Sequence, residues 1–227
     1  GVLVVEPSGK ADFRMRIFNA DGSEAEMCGN GARCAARFAC LNGIAGASLS
    51  FETIAGIIHA DVNGASVKTQ LSRPLNLQLN QELAVDGVTL TVYSINTGVP
   101  HAVIFVDDLE SAPIKELGAK IRFHKQFQPA GTNVNFISIG VDGSIGIRTY
   151  ERGVEDETLA CGTGSVAAAL VCIAMGRATS PALVRTRGGD MLKVYAEPSQ
   201  PPFSEAYLEG GASLIYTGEI CPEAYAG

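Results

Sequence analysis

Two cysteines stand where a helical pattern begins, and each is followed by a glycine, one further residue and a second glycine. The first is Cys28 in EMCGNGARC, and the second is Cys161 in LACGTGSVAAA. The first N–H groups of a helix lack internal partners and carry the positive end of its dipole, so they stabilise a thiolate or a bound carboxylate. Each thiol is therefore a candidate acid or base, and the glycines would let a ligand approach the backbone.

A pair of such thiols suits a reaction that inverts a carbon atom by proton transfer. One thiolate would remove a proton from one face while the opposite thiol delivers a proton to the other face, and the reverse reaction exchanges the roles. The α-proton of an amino acid is much less acidic than a thiol, and a helix dipole contributes at most about 2 kcal/mol. We therefore expect two helix N-termini, holding the substrate carboxylate in a cleft closed to water, to supply most of the stabilisation.

The segments around the two cysteines form an internal repeat, because Cys161 follows Cys28 by 133 residues and similar patterns precede both. Residues 15–22 and 147–154 each alternate like a strand and end in polar residues and glycine. This period is far longer than the roughly 20–50 residues of a solenoid unit. It indicates two domains of the same architecture.

An apolar helix follows each cysteine, and strand patterns surround both helices. We expect the two helices to be buried, the first through Ala32, Cys34, Ala35, Ala36, Phe38, Ala39 and Leu41 and the second through residues 166–175. One further helix is predicted at residues 114–123. Strands are predicted at residues 49–62 with a glycine break, and at 66–71, 89–95, 102–106, 134–139, 144–150, 182–187, 191–196 and 212–220.

These elements predict an α+β fold with two pseudo-symmetric domains, each a mostly antiparallel sheet wrapped around a central helix. The active site would lie in the cleft between them. The predicted N-terminal half-domain comprises residues 1–73 plus about 213–227, and the C-terminal half-domain comprises residues 74–212. The chain starts inside a strand pattern without an initiator methionine, so we expect an N-terminal segment to be missing.

Composition narrows the functional classes. The chain has 227 residues, 46% of them hydrophobic, and a net charge of −7. No basic run could neutralise phosphates, which argues against a nucleic-acid partner. The longest apolar run, residues 166–175, is shorter than the roughly 20 residues that span a bilayer, and no leader pattern opens the chain. We predict a cytoplasmic protein that binds a small molecule and no membrane.

The remaining cysteines and a glycine motif have simpler interpretations. Cys34, Cys40, Cys172 and Cys221 are interpreted as small buried hydrophobic side chains, and the spacing of the cysteines predicts no metal site. Residues 162–167 match the GxGxxA pattern of dinucleotide-binding loops. That interpretation is weak, because acidic residues 155–157 stand where a hydrophobic strand should precede the loop.

The paired motifs resemble the diaminopimelate epimerase family over the whole chain. The resemblance implies a cofactor-independent epimerase that converts LL- to meso-diaminopimelate in bacterial lysine and peptidoglycan synthesis. It makes Cys28 and Cys161 the acid/base pair and gives His101 and Glu151 the role of tuning the thiols. The family pattern has asparagine where Val99 stands, and its N-terminal segment supplies an asparagine and a glutamine to the site.

The resemblance also assigns the residues that bind substrate. Backbone N–H groups near each thiol would hold the reacting carboxylate, and side chains elsewhere would hold the distal end. Arg33 is assigned a structural role. The implied substrate-binding residues are Asn19, Gly29, Asn30, Asn133, Glu151, Arg152, Gly162 and Thr163.

Three alternatives remain open at this point. A proline racemase-like enzyme would use the same two thiols, although such racemases carry histidine where Asn30 stands. A cysteine nucleophile activated by His101 would catalyse acyl transfer, which explains one thiol and not the other. An amino-acid-binding relative could keep the cleft without the chemistry. A homodimer is the one assembly left open.

Overall fold

The computed structural model of the chain describes residues 1–25 and 27–221, which form strands around three α-helices. A single turn of 3₁₀ helix lies at Lys125–Phe127. In chain order the elements are β1 (Val2–Glu6), β2 (Phe13–Phe18), β3 (Glu24–Ala25), α1 (Gly29–Leu41), β4 (Ser48–Thr53), β5 (Gly56–Asn63), β6 (Ser66–Gln70), β7 (Leu75–Val85), β8 (Val88–Asn96), β9 (Pro100–Phe105), α2 (Ile114–Arg122), β10 (Asn133–Ile139), β11 (Ile145–Glu151), β12 (Asp156–Thr158), α3 (Gly162–Ala174), β13 (Ala182–Arg185), β14 (Met191–Glu197) and β15 (Glu205–Gly211).

Two sets of these elements repeat the same topology. In the first half, which comprises β1–β6 and α1, β2 pairs antiparallel with β1 and β3 and parallel with β4. In the second half, which comprises β10–β15 and α3, β11 pairs antiparallel with β10 and β12 and parallel with β13. Two further antiparallel strands follow in each half. The predicted α+β fold of two pseudo-symmetric units is therefore confirmed.

The halves join through their last strands. β6 and β15 pair antiparallel, with Thr69 opposite Leu208, so the sheet runs without interruption from β1 to β7. The second half has an additional neighbour, because β9 pairs parallel with β10 and brings β8 and β7 with it. In the described chain β1 is the outermost strand at the opposite end. The predicted domain boundaries stay predictions.

Each helix belongs to its own hydrophobic core. α3 is apolar nearly all round and is buried from Gly164 to Ile173 against the strands of the second half. α2 covers a separate cluster that includes Phe136 and Tyr150. No helix in residues 1–25 and 27–221 is both long and apolar enough to cross a membrane.

The prediction that α1 is buried through Cys34, Phe38 and Leu41 is wrong, and Cys221, interpreted as a small buried side chain, is exposed as well. Cys34 is exposed, and Phe38 and Leu41 are 48% and 57% exposed. Alanines spaced three or four residues apart turn a narrow face towards the sheet, which leaves the larger apolar residues on the opposite face. That face lines a groove of about 720 Å³ together with residues that include Leu3 and Leu214.

The C-terminal strand also differs from its prediction. The strand lies at Glu205–Gly211, because Ala206, Leu208 and Gly210 alternate inward and pair with both β6 and β14. Residues 213–221 are exposed and form no strand, so the predicted strand at 212–220 is wrong, and residues 222–227 of the predicted half-domain lie outside the described residues. β7 was not predicted, since Asn76 and Asn80 with positive φ accompany shifts in its pairing register.

Candidate active site

Both predicted cysteines are the N-caps of their helices. Cys28 and Cys161 have extended backbones, and their carbonyl groups accept the first helical hydrogen bonds, from Ala32 at 2.8 Å and Ser165 at 2.9 Å. The N–H groups of the residues directly after each cysteine therefore have no carbonyl acceptor within the helix. We call residues 28–31 the first thiol turn and residues 161–164 the second thiol turn.

The fold brings the two thiol turns to the junction of the halves. Met27, directly before Cys28, packs against the cores of both halves, and α1 contacts α3. The charge of a Cys28 thiolate contributes to raising the pKa of Cys161. Each thiol is held at a positive helix end, and the two helices are in contact, while the catalytic role of the pair stays a prediction.

The two thiols have different surroundings. Cys28 is exposed, and its Sγ accepts from the Gly31 N–H at 3.5 Å. Cys161 is 9% exposed, and its Sγ lies 3.6 Å from the Thr163 hydroxyl oxygen. The pKa of Cys161 is raised to about 11, chiefly by burial and then by the charge of Glu151, against hydrogen bonds from Thr163 and Gly164 that lower it.

Equivalent glycines show what backs each thiol turn. A Cβ placed on Gly31 would lie 3.0 Å from Leu3 Cδ2 and 3.7 Å from Ile17 Cδ1, both apolar. A Cβ on Gly164 would overlap the side-chain oxygen of Asn135 and lie 3.2 Å from the Cys161 sulfur. The first thiol turn therefore has an apolar backing, whereas an amide backs the second.

That amide belongs to a buried polar network. Asn135 donates through Nδ2 to the Ala102 carbonyl at 3.0 Å, and its Oδ1 accepts from Thr149 Oγ1 at 3.0 Å. Its Nδ2 also lies 3.1 Å from Nδ1 of His101. Because the Ala102 carbonyl can only accept, Nδ2 is fixed as the donor and His101 Nδ1 is the acceptor. The neutral ring then carries its proton on Nε2.

His101 is 1% exposed, and burial lowers its pKa to about 3, with the charge of Arg152 as a second cause. The ring is therefore neutral at physiological pH. No hydrogen-bond partner for Nε2 lies within the part of the chain that is described. The acyl-transfer alternative needs His101 as the base of a cysteine nucleophile, whereas its Nδ1 bonds to Asn135.

Asn133 and Arg152 lie together, next to His101. Asn133 donates to the Pro100 carbonyl at 3.2 Å, and its oxygen accepts from the Arg152 backbone N–H at 2.9 Å. The Arg152 guanidinium donates to the Ala130 carbonyl at 3.0 Å. Asn133 therefore holds the backbone of Arg152, and both residues are predicted to bind the distal end of the substrate. The Arg152 guanidinium has further N–H groups that can donate to a ligand.

The other predicted residues lie at the first half and at the turn itself. Asn19 is exposed in the turn after β2, where its amide donates to Ser23 at 3.0 Å. Asn30 is exposed at the first thiol turn, and its side chain accepts from Arg33 at 2.8 Å. Gly29 and Gly162 are the first residues of α1 and α3, so their N–H groups have no acceptor within the helix, and their binding of a carboxylate stays a prediction.

Sequence reasoning missed several residues that shape the site. They are Asn135, Thr149 and Thr97, which donates to the Thr163 carbonyl at 3.0 Å. Arg33, which was assigned a structural role, is 6% exposed beside the first thiol turn. The signal available for Asn135 was its position two residues after Asn133, on the same face of an otherwise apolar strand. Among the described residues, no cluster of three or more His, Cys, Asp or Glu side chains could hold a metal ion.

Comparison with a family model and with individual relatives points to the same protein family. The family model described as diaminopimelate epimerase matches residues 1–73 and 93–215. A diaminopimelate epimerase from Aquifex aeolicus is 45% identical over 98% of this chain and 80% of its own length. A second, from Archaeoglobus fulgidus, is 45% identical over 96% of the chain and 79% of its own length.

Solved structures share the fold at low sequence identity. A probable proline racemase from Agrobacterium radiobacter K84 with bound carbonate has a TM-score of 0.74 at 16% identity, over 99% of this chain and 77% of the other. A hydroxyproline epimerase from Agrobacterium vitis with bound trans-4-hydroxy-L-proline has a TM-score of 0.67 at 19% identity, over 92% and 72%. These similarities support the two-domain fold and leave the substrate to other arguments.

Proposed function

Because the chain belongs to the diaminopimelate epimerase family, we propose that it inverts one α-carbon of LL-diaminopimelate to give meso-diaminopimelate. The observation that carries this proposal is the pair of N-cap cysteines, Cys28 and Cys161, on two equivalent helices that meet at the junction of the halves. One thiolate would take the α-proton and the other thiol would return a proton on the opposite face.

The raised pKa of Cys161 suggests how the cycle starts. With a pKa of about 11, this thiol is protonated at neutral pH and is available as a proton donor. We therefore assign the first abstraction of the α-proton to Cys28. Cys161 then donates a proton to the opposite face of the α-carbon. The reverse reaction exchanges the two roles, since the thiol that has donated becomes the next base.

The reacting carboxylate would bind to the N–H groups of the two thiol turns. Gly29 and Asn30 present theirs from α1, and Gly162 and Thr163 present theirs from α3. Negative charge that develops on the carboxylate as the α-proton leaves is stabilised by both helix dipoles. This electrostatic contribution is needed because a thiolate alone is too weak a base for an α-proton.

The distal end of the substrate would bind near Arg152 and Asn133. The planar guanidinium suits a carboxylate, and its charge acts on the neutral ring of His101. Asn19 would reach the same ligand from the first half. We assign Glu151 to the control of the Cys161 thiol, because its charge favours the protonated form.

We place this reaction in lysine and peptidoglycan synthesis and in the cytoplasm. The free state of all six cysteines supports a reducing compartment. The substrate is a small molecule, and the proposed chemistry needs no cofactor, because two thiols and two helix ends supply the acid, the base and the charge stabilisation.

The proposal is tested with LL-diaminopimelate in D₂O, followed by proton NMR and chiral chromatography. We expect the α-proton signal to decay while meso-diaminopimelate with α-deuterium accumulates. An acyl-enzyme adduct in the mass spectrum would instead support a cysteine nucleophile. Binding of diaminopimelate without exchange would support a relative that lost the chemistry, and inversion of proline in a parallel sample would move the substrate to the racemase class.

A further inference from the structure

A buried arginine lies beside the first thiol turn. Arg33 is 6% exposed, and its guanidinium donates to the Asn30 side-chain oxygen at 2.8 Å and to the Gly29 carbonyl at 3.5 Å. Its Nε is buried without a hydrogen-bond partner among residues 1–25 and 27–221. Two residues of the proposed carboxylate site therefore take their orientation from one side chain.

The Arg33 guanidinium packs against a glycine of β15, the strand that pairs with β6 and joins the halves. A Cβ on Gly210 in β15 would lie 3.2 Å from Arg33 Nε and 3.4 Å from its Cζ, besides 2.6 Å from Leu192. The absence of a side chain at Gly210 thus leaves room for the guanidinium against the strand that joins the halves. The position equivalent to Arg33 in α3 is Val166, which is fully buried, so the second thiol turn has no matching cation.

The charge of Arg33 acts on the thiol. Burial lowers the pKa of Arg33, while negative charge on Cys34, Cys28 and Asp190 raises it. The hydrogen bond to the Gly29 carbonyl places the positive charge of the guanidinium next to the residue that follows Cys28. Of the acting groups, Cys34 lies on the same helix and Asp190 directly precedes β14.

We propose that Arg33 is a positioning residue, which fixes the first thiol turn through Asn30 and Gly29 and holds a positive charge beside Cys28. This inference rests on the proposed function, because it gives the turn and the thiol their roles. It assigns to one side chain both the geometry of the carboxylate site and the positive charge beside the proposed base.

Three variants separate these effects from plain loss of packing. Arg33→Met removes the charge and the hydrogen bonds, while Arg33→Lys keeps the charge and loses the fork. Arg37→Met is the matched control, since Arg37 lies one turn further along α1 and donates to the Ala212 carbonyl, next to the same strand. Each is measured for its melting temperature, kcat, KM and the rate at which iodoacetamide alkylates Cys28 relative to exposed Cys221.

For Arg33→Met we expect kcat/KM to fall about 10- to 100-fold, as for a small misplacement of reacting groups. Relative alkylation of Cys28 near pH 7 should slow about three- to tenfold because the positive charge beside the thiol is lost. Arg33→Lys should restore most of the alkylation rate and little of kcat/KM. Arg37→Met should lower the melting temperature while leaving both chemical measurements near wild type.

Unchanged Cys28 alkylation in a folded Arg33→Met variant would overturn the charge effect, and equal losses of kcat/KM in Arg33→Met and Arg37→Met would overturn the positioning role. If Arg33→Met does not fold, Gly210→Ala displaces the guanidinium and enters the same assays with the same expectations. Absence of turnover in the wild-type chain would overturn the proposed function, whereas the alkylation comparison would still decide this inference.

Discussion

The first and second thiol turns share one backbone design and differ in what surrounds it. Both place a cysteine at the N-cap of a 13-residue helix, after a strand that pairs with a short antiparallel strand. The first turn lies against Leu3 and Ile17. The second lies against Asn135, which forms a hydrogen bond with His101. The first turn instead has the buried guanidinium of Arg33.

The comparison shows that a symmetric reaction does not need symmetric surroundings. The backbone N–H groups and helix dipoles, to which we assign the binding of the reacting carboxylate, are the same on both sides. The side chains behind the two turns differ, because β9 lies beside β10 and supplies His101 as a partner of Asn135, while β1 has no such neighbour in the described sheet.

The largest expected effect tests whether both turns are needed. Cys28→Ala and Cys161→Ala should each lower the rate of epimerisation about 10³-fold or more, because either change leaves one face without a proton carrier. Turnover of LL-diaminopimelate is measured by chiral chromatography. Cys34→Ala, on the exposed face of α1, is the control and should keep wild-type activity. Near-full activity in either of the first two variants would disprove the two-base scheme.

The second prediction concerns the buried imidazole, which only the second turn has. The pKa of His101 falls from 6.5 to about 3 on folding, so its stabilising contribution is present above pH 6.5 and is lost as the pH falls towards 3. Urea unfolding at pH 7 and pH 4.5 should show a loss of about 3 kcal/mol from this group. His101→Gln should flatten that acid dependence, and exposed His59→Gln should leave it unchanged. Parallel curves for both variants would contradict the assignment.

A smaller effect, on the free energy of unfolding, is expected when the equivalent glycines Gly164 and Gly31 are replaced. Gly164→Ala should lower the free energy of unfolding by about 1–3 kcal/mol, because the new Cβ meets an amide that is fixed by hydrogen bonds. Gly31→Ala should cost less, since Leu3 is partly exposed and can move away. Thermal unfolding of the two variants checks the order. A larger loss for Gly31→Ala would mean that the first turn is the more tightly packed one.

The smallest expected effect concerns Glu151 and the reactivity of Cys161. The charge of Glu151 raises the pKa of Cys161, so Glu151→Gln should lower that pKa and raise the alkylation rate about two- to fivefold at pH 8. Peptide mapping after iodoacetamide treatment measures both thiols in one sample. Cys28 alkylation serves as the internal control and should stay constant. A slower reaction at Cys161 would place the influence of Glu151 elsewhere.

The elements with a local signal could be predicted from the sequence. α3 is apolar on every side, and both cysteines precede glycines at a helix start, so their placement needed only neighbouring residues. The exposure of Phe38 could not be predicted, because it depends on which face of α1 meets the sheet. Asn133 and Asn135 have the same residue type two positions apart, and only the parallel neighbour β9 determines that Asn135 holds His101.

The antiparallel pairing of β6 with β15 has an evolutionary consequence. Two copies of a half-length chain related by a twofold axis would pair equivalent edge strands in this antiparallel manner. An ancestral homodimer built this way would already have faced one cysteine with its twin. Fusion of two such copies would leave each half free to differ around the same backbone, as Arg33 at the first turn and Asn135 at the second do here.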